Sequence, residues 1–225
     1  MCGRAYETYT DEELYIRYRG KRSSTLPPLS PNYNLCPSQD SPTLRVVAGQ
    51  RQIDPMHWQL IPDWEPAFKT KLSTINAKSE TVFESRLYRK LVARQRCVVP
   101  LSGFFEWKRA GDRKRPFRIF LRDEPIRSVA GIWNTWHAGL PDERSSFSIL
   151  TTSANSLMSE LHDRMPVILA RPDEYAWLDP DIQDEESLKT LLKPCPRSWL
   201  AAVEVSTLVN SPKNNSPAVL EPSME

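Results

Sequence analysis

Twenty prolines stand against seven glycines in this chain of 225 residues. Proline locks φ and lacks the backbone N–H that helix interiors and sheet ladders use. Spread from Pro27 to Pro222, the prolines predict a loop-rich fold with rigid connections rather than long regular elements. No internal repeat and no linker divides the chain. Its length suits one well-cored domain. The expected organisation is a single domain over residues 1–214 with a C-terminal tail, 215–225. From Ser211 onward the chain is rich in Pro, Asn and Ser and is expected to wander over the surface or fray.

Local signals fill in the elements. Thr10 is a good N-cap, and Glu13 three residues on completes a capping box, so a helix should run through Leu14, Tyr15 and Tyr18 to about Gly20. Residues 21–32 read as a loop. Leu44–Val47 and Met56–Leu60 are short strand candidates; Cys97–Trp107, Phe117–Leu121, Ser128–Trp133 and Phe147–Thr152 are stronger ones. Ala110-Gly111-Asp112 offers a hairpin turn. A second helix is expected over about Ser79–Arg94, with Val82, Leu87 and Leu91 on one side. Short helices are expected near 154–161, 172–178 and 184–192. The pattern predicts an α+β fold: a curved, barrel-like, mainly antiparallel β-sheet core with peripheral short helices.

Several classes of protein fit poorly. No apolar run approaches the roughly 18 residues of a membrane span, and the N-terminal sequence lacks the basic and apolar regions of a secretory signal. Cys2, Cys36, Cys97 and Cys195 lie far apart with no C-x-x-C pair, so free thiols are expected. His57, His137 and His162 are equally scattered, so no metal site is expected. No cofactor is implied. The formal net charge is +2, but arginines and lysines cluster over 86–96 and 108–115. Solvated helix and hairpin surface accounts for most of them.

Four segments carry chemistry. Met1 is followed by the small residue Cys2, so removal of Met1 would leave an N-terminal cysteine, with a thiol and an amine two carbons apart. Such a 1,2-aminothiol condenses with an aldehyde and closes a thiazolidine ring. In Val99–Trp107, strand alternation puts Phe104 and Glu106 on one face and Phe105 and Trp107 on the other. Glu106 then lies either at an exposed edge or in an apolar cleft, where its pKa would rise. His162 stands between a short helix and an apolar strand, either as a site residue or as a cap. Asn76 and Lys78, two apart in extended chain before a helix start near Ser79, would make a phosphate pocket or an ordinary helix entry.

Taken in order, Met1-Cys2-Gly3-Arg4, Tyr33-Asn34-Leu35-Cys36-Pro37, Trp58–Trp64, Asn76–Thr81, Gly103–Trp107 and His162–Val167 closely resemble the successive motifs of the SOS-response-associated peptidase family, also described as abasic-site-processing proteins. Val209-Asn210 and Lys213 resemble its closing motif. The resemblance implies a partner, single-stranded DNA containing abasic sites, to which Cys2 becomes covalently attached through a thiazolidine. It implies catalytic roles for Cys2, Glu106, His162 and Asn76: Glu106 orients the amine and shuttles protons, His162 assists proton transfer, and Asn76 holds the sugar aldehyde or the Cys2 backbone. Arg4, Lys78 and Arg86 match positions that contact phosphates, while Pro37, Trp64 and Thr151 match the floor and walls of a DNA channel.

Three positions depart from the family pattern. Gln59 stands where Gly is common, Phe105 where Tyr or Trp is common, and Lys78 where Arg is common. The first two are expected to concern packing, and the third loses a bidentate fork. A weak lyase activity through the imine is also expected, as is a monomer with no membrane association. The location would be cytoplasmic in a bacterium and nuclear in a eukaryote. Two other readings stand beside covalent capture: a thiol autopeptidase using Cys2 as an N-terminal nucleophile, and a single-strand-binding module without covalent chemistry.

Overall fold

A computed structural model describes residues 2–111 and 113–223. In chain order the elements are β1 (Ala5–Glu7), α1 (Asp11–Tyr18), β2 (Lys21–Arg22), β3 (Asn32–Leu35), β4 (Asp40–Val47), β5 (Gln50–Trp58), β6 (Asn76–Lys78), α2 (Arg89–Arg94), β7 (Arg96–Leu101), β8 (Gly103–Ala110), β9 (Arg113–Leu121), β10 (Arg127–Trp136), β11 (Arg144–Ser153), β12 (Arg164–Pro166), β13 (Ile168–Leu169), α3 (Arg171–Leu178), α4 (Glu185–Leu191) and β14 (Leu200–Glu204). The larger sheet runs β12-β11-β10-β7-β4-β5-β2, and β11 also pairs in parallel with β5. That pairing closes β11, β10, β7, β4 and β5 into a ring, a partial barrel. A smaller five-stranded sheet runs β14-β9-β8-β1-β3. The α+β, barrel-like, mainly antiparallel reading holds, with short helices at the periphery.

The prolines act differently from the opening expectation. Pro42, Pro55, Pro100, Pro116 and Pro166 lie inside strands, and β4, β5 and β8 to β11 run eight to ten residues. Pro42 faces Pro55 directly across β4 and β5. Neither can donate, so the pair occupies a non-hydrogen-bonded position of the antiparallel ladder and breaks nothing. Strands β4 and β5 are longer than expected because Ala48 and Gly49, with φ of 49° and 76°, form the tight turn that joins them. In the β8–β9 hairpin Gly111 takes φ of 60° and Ala110 pairs with Arg113, while Asp112 lies outside the described residues.

The expected strand Cys97–Trp107 is two strands in two sheets. The chain bends at Ser102, whose N–H donates to Tyr6 O and whose hydroxyl accepts from the Thr8 N–H at 3.0 Å. Gly103 follows, and a Cβ there would stand 2.4 Å from Ile119 O and Tyr6 Oη. Only the absent side chain lets β8 cross so near β9 and Tyr6. The bend carries Phe104 into the core that holds Cys2 and sends Phe105 into a smaller core with Tyr6, Val209 and Val219.

Helix α1 forms as read, with both capping-box bonds between Thr10 and Glu13, and ends at Arg19 in a left-handed conformation. The loop expected over 21–32 contains the short strand β2 and runs into β3 at Asn32. The helix expected over Ser79–Arg94 exists only as α2. The Ser79 N–H donates to Thr151 O at 2.9 Å, and a series of turns follows up to Tyr88. The β6 ladder claims the backbone that a helix start would need, although Val82 and Leu91 are buried as the spacing predicted. The short helix near 154–161 is a single 3₁₀ turn, Met158–Glu160; those near 172–178 and 184–192 are α3 and α4.

From Ser211 to Ser223 the chain does not fray. Val219 is fully buried, Val205 bridges Pro222, and the Ser223 N–H donates to Glu204 O.

Candidate active site

Cys2 is fully buried, in the core that also holds Phe104 of β8. Strand β1 begins three residues later and pairs with β8 at Ala5 and Phe104, which lays the N-terminal segment beside Glu106. Asn76, on β6, donates its side-chain N–H to the Cys2 carbonyl at 2.9 Å. Asn76 Oδ1 is buried with no hydrogen-bond partner among the described residues. An acceptor in that position is available to a donor that arrives with the reaction.

Glu106 is 4% exposed, so the cleft alternative is the one adopted. Burial raises its pKa, and the charge of His162 and the Trp107 backbone N–H oppose the rise. Burial, reinforced by the Glu106 charge, pushes the Cys2 thiol up to about 12. The sulfur is therefore a neutral thiol at pH 7, beside a carboxyl group able to exchange protons.

His162 follows the 3₁₀ turn, its N–H bonded to Met158 O at 2.8 Å. Its Nδ1 accepts from the Arg164 N–H at 3.0 Å and lies 2.8 Å from Asp163 Oδ1. The neutral ring accepts from Arg164; the protonated ring has Asp163 to donate to. Asp163 is largely exposed, and the Arg164 bond helps to fix the ring. Glu106 and His162 then face one open cleft of about 380 Å³, also lined by Trp107, Arg109, Lys114 and Asn210.

The remaining predicted residues spread around this centre. Arg4 donates to Asn34 Oδ1 and to Val209 O, both at 2.7 Å, and stacks over Trp107. Trp107 in turn donates to Asn210 Oδ1 at 2.7 Å. The two ends of the chain thus meet at the cleft wall, and Arg4 is anchored as well as positively charged. Lys78 is exposed and lies opposite Thr151, which is buried with its hydroxyl toward Ala77 O. No helix begins near Ser79, so the helix-terminus phosphate pocket expected there does not exist. Arg86 and Trp64 are exposed and Pro37 is half-buried; the cleft lining includes none of the three.

The sequence reading gave no role to Asn34, whose side-chain N–H groups bind Val209 O, Ser211 O and Asn214 O. Arg109 and Lys114 stood in the basic stretch 108–115, most of which was expected to be solvated surface. Their spacing around Gly111 could have placed them opposite each other, but not beside a cleft. Gln59 is a backbone matter rather than a packing one, since its φ of 153° is a conformation that glycine adopts without strain. Among the described residues no group of three or more His, Cys, Asp or Glu could hold a metal, and the four cysteines are unpaired.

The model of the family described as SOS response associated peptidase (SRAP) matches residues 1–212. The abasic site processing protein YoaM of Bacillus subtilis is 38% identical over 224 residues, which is 98% of each chain. YoqW of the same organism, also called an abasic site processing protein, is 38% identical over 85% of this chain and 86% of its own. YedK of Escherichia coli, named likewise, is 29% identical over 99% of this chain and 100% of its own. A crystal structure of a protein from Bacteroides thetaiotaomicron superposes with a TM-score of 0.86 at 27% identity, covering 99% of this chain and 100% of that one.

Proposed function

The chain belongs to the SOS response associated peptidase family, and on that premise we propose that it captures abasic sites in single-stranded DNA covalently through Cys2. One observation carries the reading: a carboxyl group buried to 4% exposure lies beside an N-terminal-proximal cysteine, with a histidine across the same cleft.

The chemistry begins once Met1 is removed. An α-amine titrates at about 7.7–8.0, so part of it is free base at neutral pH. It adds to the open-chain aldehyde of the bare deoxyribose, and loss of water gives an imine. The thiol then adds across the C=N bond, its proton passing to the nitrogen, and the thiazolidine closes with net loss of one water. Glu106 supplies the proton that expels water and relays the thiol proton. Asn76 holds the Cys2 carbonyl, and its second side-chain atom accepts from the amine. His162 moves protons at the sugar during ring opening. Arg4, Lys78 and Arg86 hold phosphates, with Pro37, Trp64 and Thr151 along the strand path, Trp64 stacking on a base. An imine that waits too long for the thiol allows β-elimination, hence a weak lyase activity.

Burial favours this order of events over thiol attack. A thiol pushed up to about 12 is a poor nucleophile toward a peptide bond, yet it closes readily on an adjacent imine.

Intact-mass measurement before and after mixing with an abasic single-stranded oligonucleotide tests the proposal. The expected product is protein lacking Met1, plus oligonucleotide, minus one water, stable to heat and detergent. Cys2→Ala should abolish the stable adduct. A stable adduct formed by Cys2→Ala would overturn the thiazolidine.

A further inference from the structure

Arg109 and Lys114 stand directly opposite each other across β8 and β9 and line the same cleft as Glu106 and His162. Like charges placed directly opposite in an antiparallel pair repel, so the arrangement costs stability. Both side chains are exposed, and neither has an acidic partner among the described residues. Their neighbour Arg115 differs, pairing with Glu204 across to β14. An anion bridging the two cations would remove the repulsion. The dyad follows Trp107 along β8, beyond the point where β1 stops covering that edge.

We infer that Arg109 and Lys114 together bind one backbone phosphate of the DNA strand, so that the strand leaves the cleft over the β8–β9 hairpin. This rests on the reading of the cleft as the abasic-site pocket. It adds a second anchor to the one assigned to Arg4, Lys78 and Arg86, on a different strand pair. A guanidinium fork with an ammonium group opposite suits a phosphodiester, with its two free oxygens, better than a base edge. The contact therefore carries affinity and register without sequence preference.

The test uses a single-stranded oligonucleotide carrying a tetrahydrofuran abasic analogue, which has no aldehyde and reports non-covalent binding alone. Affinity is measured across a salt series for wild type, for Arg109→Ala/Lys114→Ala and for Lys90→Ala/Arg94→Ala. The last pair removes the same charge from α2, away from the cleft. The dyad variant should bind severalfold more weakly at low salt, with a log–log salt slope shallower by about 0.7, the share of one single-strand phosphate. The α2 variant should keep the wild-type slope. A retained cooperative urea transition establishes that each variant folds. Wild-type binding with an unchanged slope in the dyad variant overturns the inference alone, as does an equal loss in the α2 variant. Absence of wild-type binding to the analogue removes the reading of the cleft together with the inference.

Discussion

Glu7 is a buried carboxyl outside the candidate site, held by the Ser41 hydroxyl, and burial raises its pKa from 4.5 to about 8. The folded state thus prefers the protonated form. The stability from this group is complete below about 4.5, declines as pH rises, and is lost above about 8. Glu7→Gln keeps a neutral group in place and should flatten that decline. Thermal unfolding near pH 5 and near pH 9 measures it: wild type should lose a few kcal/mol more than the variant. Equal losses would contradict the burial argument. The sequence did not single out Glu7, because nothing local separates a buried carboxylate from an exposed one. Glu106 was singled out by its neighbours Phe104, Phe105 and Trp107, but whether it lay at an edge or in a cleft stayed open until the fold placed it.

Among the elements, α1 and the hairpin turn at Gly111 were readable because capping and glycine conformation are local. The helix expected from Ser79 failed because a parallel ladder with β11, 73 residues further along the chain at Ala77–Leu150, overrode a good helical pattern. How α1 docks was equally unreadable. Arg17, in its last turn, reaches the Glu174 carboxylate on α3 with both guanidinium nitrogens, one contact at 3.0 Å. Ser128 on β10 donates to the same carboxylate at 2.7 Å and shares a bond with the Tyr18 hydroxyl. With Glu174 only 2% exposed, Glu174→Ala would leave the largely covered Arg17 guanidinium without its main partner. Urea denaturation should show a loss of about 3–5 kcal/mol at unchanged m. A loss below about 1 kcal/mol would mean that Arg17 finds water instead.

At the scale of the molecule, the first and last segments build one wall. Arg4 and Asn34 hold Val209, Trp107 holds Asn210, and Val219 closes the small core beside Tyr6 and Phe105. Residues 1–214 alone should fold, but without the Val219 plug and the Val205–Pro222 bridge. Losing one buried valine at about 2 kcal/mol corresponds to a melting temperature lower by about 5 °C. An unchanged midpoint in calorimetry would show the tail to be dispensable for stability. The amino-acid sequence by itself determined the strand-rich composition, the first helix, the family motifs and the reactive potential of Cys2. Each of these is written in neighbouring residues or in side-chain chemistry. Only the tertiary structure decided that Cys97–Trp107 divides between two sheets, that Cys2 is fully buried within range of the Glu106 charge, and that Arg109 and Lys114 face the same cleft as Glu106. These depend on contacts between residues far apart in the chain, where closure of the ring and burial outweigh local preference.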